Sequence, residues 1–389
     1  MFGTQLTGAS LSSIPSADGL AAASHFTVAE IDFRSDLRWV AFVTSHPEAA
    51  IYHHPAWLVA LEQEYGKKVL GLACLDSFGK VHGVLPLMQT RGLPFNLGAQ
   101  VVGRRLSSLP RTPVAGPLSL HDEATRMLLV YAVDQVREIS GCQLQVKSMS
   151  PNLTDLQEGF AVAVWKEMYV LDLPEYSDDL RFGDRATRHR VKGAVNRALK
   201  LGVQVRKADT DKDLREWYSL YLETMRWHRS IPRPYRFFAA LWNQLHPTGQ
   251  MTLLLAEHHR DHHSTLLSGY MLLMCGQTVH CYLNGRRRDQ LGFHPNDILQ
   301  WHAIQDACRR GFRRYDFGEV EEGQAGLIAF KVKWGARPMR SYRYYYPAPR
   351  KLPTLDAPKS HLRQVAHEMW RRLPLKVTEL VGDWIYAYL

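Results

Sequence analysis

A run of carboxylates precedes a Phe-Lys pair late in the chain. Arg314-Tyr315-Asp316-Phe317-Gly318 leads into Glu319, Glu321 and Glu322, then Phe330-Lys331-Val332-Lys333-Trp334-Gly335. An alkylamine is protonated at neutral pH, with a pKa of about 10.4. Acyl transfer to it needs a proton acceptor, and Asp316 or Glu319 is placed to be one. A strand-end aspartate and solvated glutamates account for the same residues. No Cys-His or Ser-His-Asp arrangement is evident, so direct transfer in a ternary complex is expected rather than a covalent acyl-enzyme.

Two basic features accompany this cluster. Arg181–Lys207 holds nine basic residues against Asp184 alone, a charge of +8 out of the chain's +10. Like charges repel at helical i,i+4 spacing, so helix stability does not call for them. Arg190, Arg197 and Lys200 share one face and are expected to contact phosphate; a solvated basic face is the alternative. The segment Asn284–Asn296 joins a strand to a helix start, where unpaired N–H groups favour phosphate. Arg286, Arg287, Arg288, Gly292 and Asn296 are its candidate phosphate ligands, with Asn296 expected as the helix cap. Tyr282 and Trp227 are candidates for the substrate side. His258-His259-Arg260-Asp261-His262-His263 reads as a solvated hairpin loop, and no metal site is expected.

These residues need elements to place them. A strand is expected over Phe26–Asp32, helices over Leu37–His46 and Pro55–Tyr65, and a hairpin over Val69–Leu75 and Val81–Met88. Pro94–Pro117 reads as scaffold. A helix over Asp122–Ile139, a strand at Leu144–Val146 and an alternating segment Ala161–Leu173 close the first half. The second half opens with a helix at Asp184–Leu201 and a strand at Val203–Lys207. Thr210 and Asp213 form a capping-box signal before the face Leu214, Trp217, Tyr218, Tyr221 and Met225. A helix follows at Tyr235–His246, then strands at Met251–Glu257, Leu266–Met274 and Thr278–Leu283. The last elements are a helix capped by Asn296 and ended by Gly311, with Arg309 and Arg310 in its last turn, a strand Tyr315–Phe317, a short helix within Gly323–Lys333 and a strand Met339–Tyr346. Both halves repeat one order of elements with weak residue identity. That order is the one of the GNAT acyltransferase fold. The fold class expected is therefore α/β (α+β), two tandem GNAT-like domains, each a mixed, mostly antiparallel sheet flanked by helices. The boundaries are 1–24 for a disordered leader, 25–165, 166–346 with the main active cleft, and 347–389 for a tail with a basic amphipathic helix.

Five short strings carry a resemblance to a known family. Tyr52-His53-His54-Pro55-Ala56-Trp57, Gly83-Val84-Leu85-Pro86-Leu87, Trp301-His302-Ala303-Ile304, Tyr315-Asp316-Phe317-Gly318 and Phe330-Lys331 with Trp334-Gly335 resemble the FemAB-like acyltransferases, best their BioF2-like (CelD-type) branch. The resemblance runs from about residue 25 to 346. It implies an N-acyltransferase that moves an acyl group from acyl-CoA to an amine of an amino sugar or of a cell-envelope or exopolysaccharide precursor. An aminoacyl-tRNA-dependent peptidyltransferase is the alternative, with Arg181–Lys207 gripping RNA; a non-catalytic binding module is the third reading. By the same resemblance Phe330 and Lys331 line the acceptor site, and Lys331 holds an anionic group or a developing oxyanion. The chain lacks the coiled-coil arm of the Fem ligases.

Composition sets the frame. The chain has 389 residues, 46% hydrophobic and 22% charged, which excludes a disordered or collagenous chain. Five cysteines without C-x-x-C spacing read as reduced thiols. No run is long enough to span a membrane. The expected setting is cytoplasmic, with peripheral contact at the inner face of the membrane and no permanently bound cofactor. Expected partners are acyl-CoA or tRNA and a small-molecule or lipid-linked acceptor.

Overall fold

The first half runs β1 (Thr27–Glu30), α1 (Leu37–Ser45), α2 (Pro55–Tyr65), β2 (Val69–Leu75), β3 (Val81–Arg91), β4 (Arg104–Ser107), β5 (Leu118–Ser119), α3 (Asp122–Arg137), β6 (Cys142–Ser148), α4 (Leu153–Leu156) and β7 (Ala161–Asp172). The second runs α5 (Arg185–Lys200), β8 (Val203–Lys207), α6 (Asp211–Trp227), α7 (Tyr235–Leu245), β9 (Met251–Arg260), β10 (His263–Cys275), β11 (Thr278–Arg286), α8 (Pro295–Arg309), β12 (Arg314–Val320), α9 (Ala325–Val332) and β13 (Arg337–Tyr346). A tail helix, α10 (Leu375–Tyr386), follows. This computed structural model describes residues 25–91, 104–176, 180, 185–260, 263–321, 323–352 and 369–386. The leader expected over 1–24, Arg181 and Asp184 lie outside these residues.

The described strands form one sheet in the order β1-β2-β3-β4-β6-β13-β7-β12-β11-β10-β9-β8, with β5 on β3. Each half contributes a mostly antiparallel run with one parallel pair, β4·β6 in the first and β11·β12 in the second. The tandem GNAT-like architecture read from the element order is the one observed. One feature of it was not legible in the sequence. The halves exchange their last strands: β7 pairs with β12 of the second half, and β13 pairs with β6 of the first. The segment Ala161–Leu173 therefore does not simply close the first half.

The central strands are buried on both faces, and successive side chains point to opposite faces, so the apolar residues divide into three cores. One is shared: Trp39, Trp57 and Leu61 from α1 and α2 meet Trp217, Tyr221, Phe237 and Phe238 from α6 and α7. The opposite face is covered by α3 in the first half, and by α5 and α8 in the second. Helix α6 is well specified locally. Thr210 Oγ1 accepts from the Asp213 N–H, and the Asp213 carboxylate answers the Thr210 N–H, which satisfies donors at the helix start. Its Trp217, Tyr218 and Tyr221 then lie on the buried face.

Two local expectations need correction. Helix α8 is capped by His294, in a left-handed conformation (φ 54°), with Pro295 in first position; Asn296 sits one residue inside. Proline needs no N–H there, which favours it at that place. The histidine-rich segment is not simply a loop, since His258, His259, Arg260 and His263 lie in β9 and β10. Among the described residues no group of His, Cys, Asp or Glu could hold a metal ion. None of the described helices is long and apolar enough to cross a membrane.

Candidate active site

The parallel pair β11·β12 holds only from Thr278↔Arg314 to His280↔Asp316. Beyond that point the strands splay. A wedge opens between Cys281–Leu283 and Gly318–Glu319, holding a cavity of about 260 Å³. Two irregularities shape its walls. The β10·β11 register skips Tyr282, a bulge of the kind that re-aims a side chain. In β12 the register with β7 shifts between Asp316 and Glu319, where Gly318 takes φ +76°, a conformation open to glycine and costly for other residues.

At the apex of the wedge His280 Nδ1 lies 2.9 Å from Asp316 Oδ2, both side chains buried. The other oxygen of Asp316 accepts the Gly318 N–H at 2.7 Å. The Ile51 N–H can only donate, so the His280 Nε2 it faces accepts and Nδ1 carries the hydrogen of the bond to Asp316. That Nε2 lies 3.5 Å from the Ile51 N–H. Tyr52 and Tyr282 flank it, with Tyr52 5.4 Å from the His280 ring. Burial, with the Asp316 charge added, pushes the Tyr52 hydroxyl well above its usual pKa, so Tyr52 stays protonated. Glu319 faces the same cavity, with Arg343 Nη2 3.4 Å from its Oε1.

Lys331 stands behind this wall. Its Nζ donates to the Gly318 carbonyl at 2.7 Å and to that of Glu319 at 3.1 Å. Only 4% of the residue is exposed, and it is not among the cavity's lining residues. Burial lowers its pKa to about 8, opposed by the charge of Asp316. Lys331 therefore fastens the β12 bulge that carries Asp316 and Glu319.

The first half contributes the far wall. Arg111 and Pro113 line the cavity, although the sequence reads their loop as scaffold. Arg233, also on the lining, pairs with the buried Glu64 at 2.5 Å and donates to the Arg111 carbonyl at 2.6 Å. It thus joins α2, the Arg111 loop and the second half at one point.

The structure divides the remaining candidates. Asp316, Glu319 and Tyr282 meet in the wedge. Trp227, Arg286 and Arg288 line a neighbouring cavity of about 380 Å³ with Glu223, Arg226, Asp289 and Arg371. There the guanidinium of Arg288 lies 3.3 Å, and that of Arg371 4.1 Å, from the Trp227 ring centre. Arg287 turns away, its Nε donating to the Leu266 carbonyl. Gly292 is exposed near the start of α8, and Asn296 Oδ1 accepts from Ser268 Oγ. Phe330 packs toward Trp334 and Lys333. Arg190, Arg197 and Lys200 are exposed on α5, which packs with α8 on the face of the sheet opposite α6. The five expected phosphate ligands of Asn284–Asn296 are thus not brought to one place. His280 is the functional candidate that the sequence reading passed over. Its signal is faint: a polar residue inside the strand Thr278–Leu283, level with Asp316 only once the two strands are known to pair.

Residues 185–331 match the model of a family described as an acetyltransferase (GNAT) domain. No curated protein matches the chain. Among solved structures, the crystal structure of FemX is similar over 82% of this chain and 98% of its own, at 17% identity and a TM-score of 0.65. A conserved protein of unknown function from Bacteroides thetaiotaomicron is similar over 82% of this chain and 98% of its own, at 12% identity and a TM-score of 0.53. The C-terminal domain of a putative lysylphosphatidylglycerol synthetase from Agrobacterium fabrum covers 79% of this chain and 90% of its own, at 12% identity and a TM-score of 0.52. At these identities the likeness is one of fold. The fold is similar to that of FemX, and the region matched by the acetyltransferase (GNAT) model contains the strands of the wedge, His280, Asp316 and Lys331.

Proposed function

We propose that the protein is an N-acyltransferase that moves an acyl group from acyl-CoA to an amine of an amino sugar or cell-envelope precursor. The observation that carries this reading is the open wedge between β11 and β12, walled by the His280–Asp316 pair on a GNAT framework. In the proposed step the acceptor nitrogen attacks the thioester carbonyl carbon. A C–N bond forms, the tetrahedral oxyanion collapses and the C–S bond breaks, releasing the thiolate. Before this attack the ammonium gives one proton to water; after it the nitrogen's second proton passes to His280 Nε2, which gives up its 3.5 Å contact with the Ile51 N–H, and on to the thiolate. Asp316 holds the ring by Nδ1 and stabilises the imidazolium, a role in which a carboxylate orients a general base. Asp316 thus acts through His280, and Glu319 draws the incoming ammonium into the wedge. Lys331 is a positioning residue, holding the bulge on which both carboxylates sit.

Aminoacyl-tRNA as donor is the second reading, favoured by the exposed basic face of α5. Mass spectrometry of acceptor amines incubated with acetyl-CoA, longer acyl-CoAs and charged tRNA tests both. Acylated amine from a CoA thioester, lost in His280→Gln, supports the first reading. Product only from charged tRNA replaces it with the second.

A further inference from the structure

The tail helix α10 is fixed to the body by one face and presents another that is apolar. Thr378 and Gly382 are buried, and a Cβ on Gly382 would stand 2.9 Å from the Pro232 carbonyl oxygen. Arg226 on α6 donates to the Leu373 carbonyl at 3.1 Å, and Arg236 on α7 pairs with Asp383 at 3.2 Å. On the outside Leu380 is 67% exposed, Trp384 60% and Met369 64%. Val377, Leu380 and Trp384 recur at helical spacing, so they share one stripe.

Basic residues gather at the N-terminal end of this stripe, while Glu379 and Asp383 lie along it and Asp383 is held by Arg236. Arg371, Arg372 and Lys376 stand at its N-terminal end, before the first carboxylate of the described tail, Glu379. The cavity that Arg371 also lines adds Arg226, Arg286 and Arg288, with Trp227 in its wall, against Glu223 and Asp289. Apolar residues and a tryptophan beside lysine and arginine suit a helix lying in the headgroup layer, and basic side chains there are drawn to anionic lipid. We propose that α10 and the C-terminal turn of α6 dock on an anionic membrane surface. Leu380, Trp384 and Met369 would enter the acyl boundary, and Arg372 and Lys376 would stay at the phosphates. The arginine-lined cavity would then open toward the bilayer. This reading is independent of the acyl-transfer chemistry, because binding is measured without substrate.

The test is flotation of the full chain with vesicles of phosphatidylcholine alone and with one quarter phosphatidylglycerol. Binding is expected only to the anionic vesicles, weakening as salt rises. Leu380→Glu with Trp384→Glu, and separately Arg372→Gln with Lys376→Gln, are expected to lower the partition about tenfold or more. All four positions are exposed, and an unchanged thermal melt checks that each variant is folded. No binding of the parent chain to anionic vesicles overturns the proposal, as does equal binding by folded variants. So does a dimer that Leu380→Glu with Trp384→Glu turns into monomer without altering vesicle binding; the face would then join two copies of this chain.

Discussion

Each half of the molecule has a parallel strand pair that splays, yet only one of the two wedges is open. In the first half β4 and β6 stay paired from Arg104↔Cys142 to Ser107↔Gln145. The chain beyond β4 then folds back into its own wedge. Ser108 Oγ accepts the Lys147 N–H at 2.8 Å, and Lys147 Nζ donates to the carbonyls of Leu109 and Thr112. Leu109 and Arg111 take left-handed backbone, φ 64° and 44°, a conformation that costs a non-glycine residue energy. Ser108, Leu109, Thr112 and Ala115 are buried. In the second half the corresponding space is lined by His280, Tyr282 and Glu319 and left empty of chain. One order of elements thus yields a filled wedge and an open one, and the filled wedge supplies Arg111 and Pro113 as a wall for the open one.

The sharpest way to break this contrast is to strike both wedges. His280→Gln is expected to lower turnover about 10²–10⁴-fold, the range for loss of a general base. Lys147→Met, in the filled wedge, is expected to lower the melting temperature and leave turnover within a few-fold. Steady-state rates and thermal melts on the same preparations decide; similar rate losses in both variants would erase the distinction.

The joint between the wedges should show in the pH dependence of stability. Burial pushes the Glu64 carboxyl up to about 7, against the pull of Arg233. The folded chain therefore keeps this proton up to about pH 7, while the unfolded chain releases it near 4.5. Between those values the native state binds more protons, so stability falls as pH rises through the window. A shift of this size is worth on the order of 3 kcal/mol. Denaturant melts from pH 4.5 to 7.5 measure the slope, and Glu64→Gln is expected to flatten it.

Close packing in the filled wedge gives a smaller effect. A Cβ on Gly116 would meet the Lys147 carbonyl oxygen at 2.6 Å. Gly116→Ala is expected to cost about 1–3 kcal/mol, the usual range for overpacking, read as a lower denaturation midpoint. Lys331→Met loosens the β12 bulge and is expected to reduce turnover at least about tenfold, because small misplacements of reacting groups are costly. Partial recovery in Lys331→Arg would mark positioning, since arginine can also donate to the two carbonyls. Turnover unchanged in Lys331→Met would remove that role.

The contrast also shows what a single sequence displays. Elements governed by local rules were legible: the α6 capping box at Thr210 and Asp213, the hairpin over Val69–Leu75 and Val81–Met88, and the repeated order that named the fold class. Asp316, Glu319 and Tyr282 were picked out, and they converge in the wedge. His280 and Arg111 were not, because their roles depend on neighbours 36 and 122 residues away, Asp316 and Arg233. The filling of the first wedge was hidden for the same reason. Ser108–Gly116 reads as a Pro/Gly/Ser loop until Lys147 and His53, which contacts the Gly116 carbonyl, are seen to hold it.

The exchange of β7 and β13 has a consequence for how the chain is made. Strand β6 gains its outer neighbour only from Tyr342–Tyr346, about two hundred residues further along. A ribosome releasing the chain from its N-terminus has therefore exported both halves before the sheet of the first can close. Contacts this distant in sequence slow folding, because loop closure must be met before pairing rewards it. Meanwhile β6 waits with one edge uncovered, and uncovered edges invite pairing with other chains. A fragment ending near residue 165 would keep that edge exposed, so neither half is a natural unit for dissection.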